Sequence, residues 1–287
     1  MRGIAAMSLG SYSAGKLFRV FLRLAVAEAE FRLMELRRNK QYTIITLSWP
    51  YLMMLSIYIL GTSYGSIDYY RHVTGVEDPL IFLAVASAVA FTAVGIIDYT
   101  SNSLLWHRWL GTLPYVILAS PRFTVYLLAS GTALTVFSVA INYVSIVPLI
   151  LVLGGLDSFF RLMVIVAIVL LGMIPLMGIA IVASLLSIVA REEGNVLGFL
   201  NPLLLLLSGV FYPVELLPRI LEWASKIIPV TYVVESAKLV SGFDAPGVKV
   251  IYIVLYAFAL MSLLYNVGGV LALEYLEKVA QRRGVSS

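Results

Sequence analysis

Of the 287 residues, 61% are hydrophobic and only 13% charged, about half the charge a soluble domain carries. The net charge of +4 therefore reads as a membrane protein's basic bias and not as a nucleic-acid surface. The absence of cysteine excludes a disulfide framework and a cysteine-ligated metal site.

Six stretches are free of Lys, Arg, Asp and Glu: Thr43–Ile67, Pro79–Ile97, Phe123–Leu156, Leu162–Ala190, Val196–Val214 and Val250–Leu273. Each holds a helix near the ~20 residues that cross a bilayer. The expectation is an all-α integral membrane protein, a single transmembrane domain over residues 1–287. Its six spans fall at about 43–66, 79–100, 123–147, 162–190, 196–212 and 248–272. With both termini placed in the cytoplasm, fourteen Lys and Arg fall inside and six outside. That asymmetry favours cytoplasmic ends and a multi-pass protein of the cell membrane.

The chain opens with small and polar residues and no signal-peptide run. Gly10 to Lys16 imitates a phosphate-binding loop, but Leu17 replaces the required Ser or Thr and nothing downstream completes an ATPase. Residues 16–40 read as an amphipathic interfacial helix. Lys16, Arg19, Arg23, Glu30 and Arg37 share one sector, Phe18, Phe21, Leu22, Val26, Leu33 and Met34 lie elsewhere, and Glu28 and Arg32 make an i,i+4 pair. In the first span, Tyr51 and Tyr58 are seven apart on one face, candidates to line a pathway or to pack. Gly61 and Gly65 form a close-packing pattern.

Residues 106–121, Trp-His-Arg-Trp-Leu-Gly-Thr-Leu-Pro-Tyr-Val-Ile-Leu-Ala-Ser-Pro, are too short and too proline-bounded to span. On the cytoplasmic side they read as a short helix presented to a partner. His107 has no second ligand nearby, so no metal is expected. Gly154-Gly155 turns the chain, and Gly172, Pro175 and Gly178 mark a kink in the fourth span. In the fifth, Val196 to Tyr212 is 17 residues, about 25 Å of helix and barely a crossing. Pro213, Pro218 and Pro229 then forbid a continuous helix. Glu215, Arg219, Glu222 and Lys226 fall on one face of the piece between them. A second half-helix follows Pro229 and ends at Gly242. Residues 213–242 therefore form an external or re-entrant helical hairpin, which at membrane depth must pack on protein or line a cavity.

The run Leu-Ser-Gly-Val-Phe-Tyr-Pro-Val-Glu-Leu-Leu-Pro at Leu207 to Pro218, with Ile-Pro-Val-Thr-Tyr at Ile228 to Tyr232, resembles the signature of type-2 ATP-binding-cassette (ABC) exporter permeases. The resemblance implies that 106–121 is the coupling helix docking into an ATPase subunit. Gly111, Thr112, Leu113, Ser120 and Pro121 match that family's pattern, and Pro114 stands where it usually carries an acidic residue. It also implies an extracellular gate at Ser208, Gly209, Phe211, Tyr212, Pro213, Leu217, Pro218 and Pro229. A second permease chain, identical or related, and cytoplasmic ABC ATPase subunits would be partners, with ATP and Mg on those subunits and no cofactor here.

The absences agree. No span buries an Asp, Glu, Lys or Arg, with Asp98 only at an end, so the ion-coupling groups of secondary transporters are missing. No acid–base or metal constellation supports catalysis. The expected function is a non-enzymatic permease subunit of an ATP-driven exporter moving an amphiphilic substrate: a drug, lipid, glycolipid, polysaccharide or peptide. The alternative is a stand-alone ion-coupled carrier or channel, with sodium held by carbonyls or by Asn142, Asn201 or Asn266.

Overall fold

A computed structural model describes residues 14–64, 78–112, 115, 123–190, 193–210, 212, 214–241 and 258–282. Among them every regular element is helical. In chain order these are α1 (Ala14–Arg38), α2 (Lys40–Tyr64), α3 (Pro79–Trp109), α4 (Phe123–Gly172), α5 (Ile174–Ala190), α6 (Glu193–Leu207), a 3-10 turn (Val214–Leu216), α7 (Arg219–Ser225), α8 (Pro229–Ser241) and α9 (Met261–Arg282).

Helix α3 is the central post. From Phe82 to Ile97 most of its residues are buried, including Ala84, Ala86, Ala88, Ala90 and Ala93. Small side chains let neighbouring backbones come close, which is how helices associate where lipid removes the hydrophobic drive. Helices α2, α4, α5, α6 and α8 all pack against it. A Cβ on Gly95 would stand 2.6 Å from Ser138 Oγ of α4. Ser138 Oγ in turn donates to the Thr92 carbonyl at 3.3 Å.

Helix α4 is really two arms. Gly155 sits at φ 64°, ψ −161°, a region open almost only to glycine. The apolar stretch Val125–Gly172 has 48 residues, about 72 Å if straight and twice what one crossing needs. The reversal resolves that excess. Gly154 lies against Ile81, near the start of α3, while Gly131 lies near Thr100 and Met177. The first arm thus runs antiparallel to α3 and the second returns beside it. The expected turn at Gly154-Gly155 is present, but the helix continues through Pro148 up to it.

The fourth span divides at Met173, where α4 hands over to α5. Pro175 cannot donate to the Leu171 carbonyl, so a continuous ladder fails there. Helix α5 then crosses α9 with nothing between the backbones. A Cβ on Gly178 would meet the Tyr265 carbonyl oxygen at 2.1 Å, and one on Gly269 the Gly178 oxygen at 2.9 Å.

By length and composition, three helices can cross a membrane: Lys40–Ser63, Pro79–Asn102 and Val125–Gly172. Shorter apolar helices lie at Ile174–Ser184, Gly198–Leu207 and Phe258–Leu273. The fifth charge-free run is longer than its helix, because α6 ends at Leu207 and not at Tyr212. Helix α1 starts at Ala14 and ends at Arg38. Asn39 then caps α2, its Oδ1 accepting the Tyr42 amide at 3.1 Å.

Helix α1 has three sectors. Leu17, Phe21, Leu24, Glu28 and Arg32 form a half-buried seam, and the helix packs on α4. Phe18, Leu22, Val26 and Leu33 are exposed beside it, followed by the basic sector of Lys16, Arg19, Arg23 and Arg37. An apolar stripe next to a basic one suits the plane of lipid headgroups.

Candidate functional site

The expected coupling element and the expected gate each begin with a left-handed glycine: Gly111 at φ 66° and Gly209 at φ 74°.

At the first, residues 106–109 correct the sequence expectation. They are the last turn of α3 rather than the start of a separate helix over 106–121. The residues after Asn102, Ser-Leu-Leu-Trp-His-Arg-Trp, contain no Gly or Pro, so the helix runs on for about two turns to Trp109. It stops by a Schellman arrangement in which the Thr112 amide donates to the His107 carbonyl at 2.8 Å, across Gly111. The Tyr115 amide returns to the Thr112 carbonyl at 3.0 Å. Trp106, Trp109, Leu110 and Tyr115 stand exposed around this turn. Leu113, Pro114, Ser120 and Pro121 lie outside the described residues.

His107 holds the turn from inside. Its Nδ1 is 2.9 Å from Thr112 Oγ1, and its Nε2 is 2.9 Å from the Tyr126 hydroxyl on α4. Burial pulls its pKa down, Glu28 opposes that and Arg32 reinforces it. Arg32 itself is bracketed by Glu28 at 3.2 Å and Glu35 at 3.0 Å and stacks 5.3 Å over the Tyr99 ring. The Tyr99 and Tyr42 hydroxyls are 3.0 Å apart. The Glu28–Arg32 pair was legible as a spacing; its third partner, Tyr99, is 67 positions away and left no local signal.

The second turn is built inside the bundle. Ser208, Gly209 and Val210 are buried, and the Ser208 amide closes α6 on the Leu204 carbonyl at 3.0 Å. Pro218 starts α7 without a side-chain cap, and Pro229 starts α8, the position where a missing amide hydrogen costs nothing. Hydroxyl-to-carbonyl bonds tie the hairpin together. Thr231 Oγ1 lies 2.9 Å from the Ser225 oxygen and 3.3 Å from that of Leu207. Tyr212 donates to Leu206 at 2.7 Å, Tyr232 to Lys226 at 2.9 Å and Tyr265 to Ile227 at 2.6 Å. Leu217 is half-buried, and Phe211 and Pro213 lie outside the described residues.

The hairpin is seated deep. Asn201 Nδ2 donates to Asp98 Oδ1 at 2.7 Å, which sets Asn201 level with the half of α3 nearer Gly111, a little past its middle. Leu207 is about 9 Å further along, level with the middle of α3. Val233 of α8 presses on Gly172, its Cγ2 2.3 Å from where a Cβ would sit. Helix α7 turns an apolar face outward, with Ile220 83% and Trp223 67% exposed. On its other side Lys226 pairs with Glu222 at 2.7 Å.

Tyr51 and Tyr58 each make a contact within the bundle. The Tyr51 hydroxyl donates to the Ser145 carbonyl, Ser145 Oγ returns to Leu47 at 2.5 Å, and Tyr58 packs against the core. Of the asparagines weighed for sodium, Asn142 donates its amide to Ser138 at 2.8 Å, Asn266 to Ile174 at 3.3 Å and Asn201 to Asp98 at 2.7 Å, while the Oδ1 atoms of Asn201 and Asn266 are buried without a hydrogen-bond partner among the described residues. Among the described residues no acidic or histidine cluster could hold a metal.

A family model described as ABC-2 type transporter matches residues 25–240, from within α1 to the end of α8. No curated protein and no solved structure matches the chain.

Proposed function

The chain belongs to the ABC-2 type transporter family, and from that premise we propose that it is the membrane subunit of an ATP-driven exporter whose ATPase sits on a separate polypeptide. The membrane-embedded, multi-pass permease is the family's own property. The direction of transport, an amphiphilic substrate and a second permease chain are our reading. The Gly111 end is cytoplasmic, and Gly111, Thr112, Leu113, Ser120 and Pro121 form the docking handle. Ser208, Gly209, Phe211, Tyr212, Pro213, Leu217, Pro218 and Pro229 form the gate.

One observation supports this most. The exposed aromatic turn at Gly111 terminates α3, the most enclosed of the three helices long and apolar enough to cross a membrane. A force on that turn is therefore a force on the post to which the other spans are packed. Rigid elements with two discrete arrangements are what carries coupling between distant sites. The Asp98–Asn201 bond links the same post to α6, at whose far end the gate begins. Composition supports an amphiphilic substrate: apolar spans with scattered Ser, Thr and Tyr suit a molecule with both greasy and polar parts.

The test is purification with the products of neighbouring genes, followed by reconstitution in liposomes. An ABC ATPase should copurify, and its hydrolysis should drive transport of a fluorescent lipid out of the compartment holding the ATPase. Replacement of Trp109 and Leu110 by Ala should release the ATPase while leaving the permease folded. Transport by the isolated chain on a sodium or proton gradient, without ATP, would defeat the proposal in favour of an ion-coupled carrier.

A further inference from the structure

Resting on the coupling role just proposed for the Gly111 turn, we propose that His107 is a positioning residue that fastens this turn to both flanking helices, so that a push is delivered to α3 and α4 together.

The geometry is specific. Thr112 Oγ1 lies 3.3 Å from the His107 carbonyl, 2.9 Å from Nδ1, and Nε2 lies 2.9 Å from the Tyr126 hydroxyl. One arrangement of protons uses all three contacts at once. The Thr112 hydroxyl donates to the carbonyl and accepts from Nδ1–H, and the Tyr126 hydroxyl donates to Nε2. The imidazole is then neutral, and burial favours that form. The two rings also meet edge to face with centroids 6.0 Å apart.

Position makes the arrangement mechanical. His107 and Tyr126 are 19 residues apart, with the handle between them, so the imidazole closes the connection at its base. Without it the turn would lose this side-chain tie to α4, and less of a push on it would reach that helix. A metal role does not compete: both ring nitrogens face hydroxyls, and no group of three ligating side chains occurs among the described residues.

The chain lacks cysteine, so Val152→Cys and Ile220→Cys, both at exposed positions, give a clean pair of spin labels. One label sits beside the Gly155 reversal, the other on α7. In the complex of labelled permease and its ATPase, trapping with ATP and vanadate should change the inter-label distance distribution. His107→Phe should cut the shifted fraction about five-fold while ATP hydrolysis stays within about two-fold. His107→Gln, which keeps a donor and an acceptor, should restore most of the response. Tyr126→Phe should reproduce part of the loss and add nothing to His107→Phe. Should His107→Phe fail to fold, Tyr126→Phe with His107→Gln still decides. Full transmission in Tyr126→Phe or His107→Phe, with the ATPase bound, overturns the role of His107 alone. Failure of any ATPase to bind the unsubstituted chain overturns the coupling reading beneath it.

Discussion

Gly111 and Gly209 share a left-handed backbone and end a helix each, yet their surroundings are opposite. Around Gly111 a Cβ would meet nothing within 4 Å; at Gly209 it would stand 2.6 Å from Val214 Cγ2. The first turn is exposed and ringed by aromatic side chains, and one imidazole holds it. The second is buried among α6, α7 and α8, and carbonyl oxygens receiving tyrosine and threonine hydroxyls hold it. A left-handed glycine thus marks where a helix stops. What surrounds it determines whether the turn is available to a partner or is part of the chain's own packing.

That contrast can be broken most severely at Gly209. Gly209→Val combines a forbidden φ with a clash at Val214 and should cost about 2–5 kcal/mol, seen as a large fall in thermal midpoint in detergent. Gly111→Ala meets only the backbone penalty, about 1–2 kcal/mol, confined to the turn. Its midpoint should barely move while ATPase binding weakens; equal falls for the two variants would erase the distinction. Thr231→Val keeps shape but removes the hydroxyl shared by the Ser225 and Leu207 carbonyls. About 1 kcal/mol should go, and proteolysis should open the hairpin first.

The smallest effect is a pH dependence at the exposed turn. His107 is held neutral by burial, against Glu28 and with Arg32, and faces Tyr126 from α4. A base whose folded pKa lies below its unfolded one stabilises the fold more as pH rises between the two values. The fastening should therefore be complete above the ordinary histidine value of about 6.5 and weaken as pH falls from there toward the folded value. Hydrogen exchange at residues 107–112, corrected for intrinsic rates, should rise across that window while exchange at 207–210 does not.

Much of the helical layout was legible because its causes are local. Charge-free runs predict apolar helices. Pro218 and Pro229 predict the breaks that α7 and α8 respect, and Gly154-Gly155 predicts the reversal. The misplaced boundaries also have causes. The charge-free run ending at Val214 outlasts α6 because Gly209, an uncharged residue, stops the helix. Residues 106–121 read in sequence as a short helix of their own, whereas the backbone of 106–109 continues α3 up to the turn at Gly111. Contacts between distant elements left no trace in any window. Arg32 on Tyr99, Asn201 on Asp98 and His107 on Tyr126 each join residues that only the folded bundle brings together. Tyr51 and Tyr58 show the converse: a one-face spacing is equally what packing requires.

The Gly178–Gly269 crossing bears on how any mutational survey of this protein should be interpreted. Helix α9 lies beyond the stretch that matches the family, and this crossing seats it against α5. A methyl group at either glycine would wedge the two backbones apart. Both positions will therefore score as intolerant of even alanine in a selection for transport, although neither needs to touch cargo or nucleotide. Surface abundance measured beside activity will separate such assembly defects from true lesions of the pump.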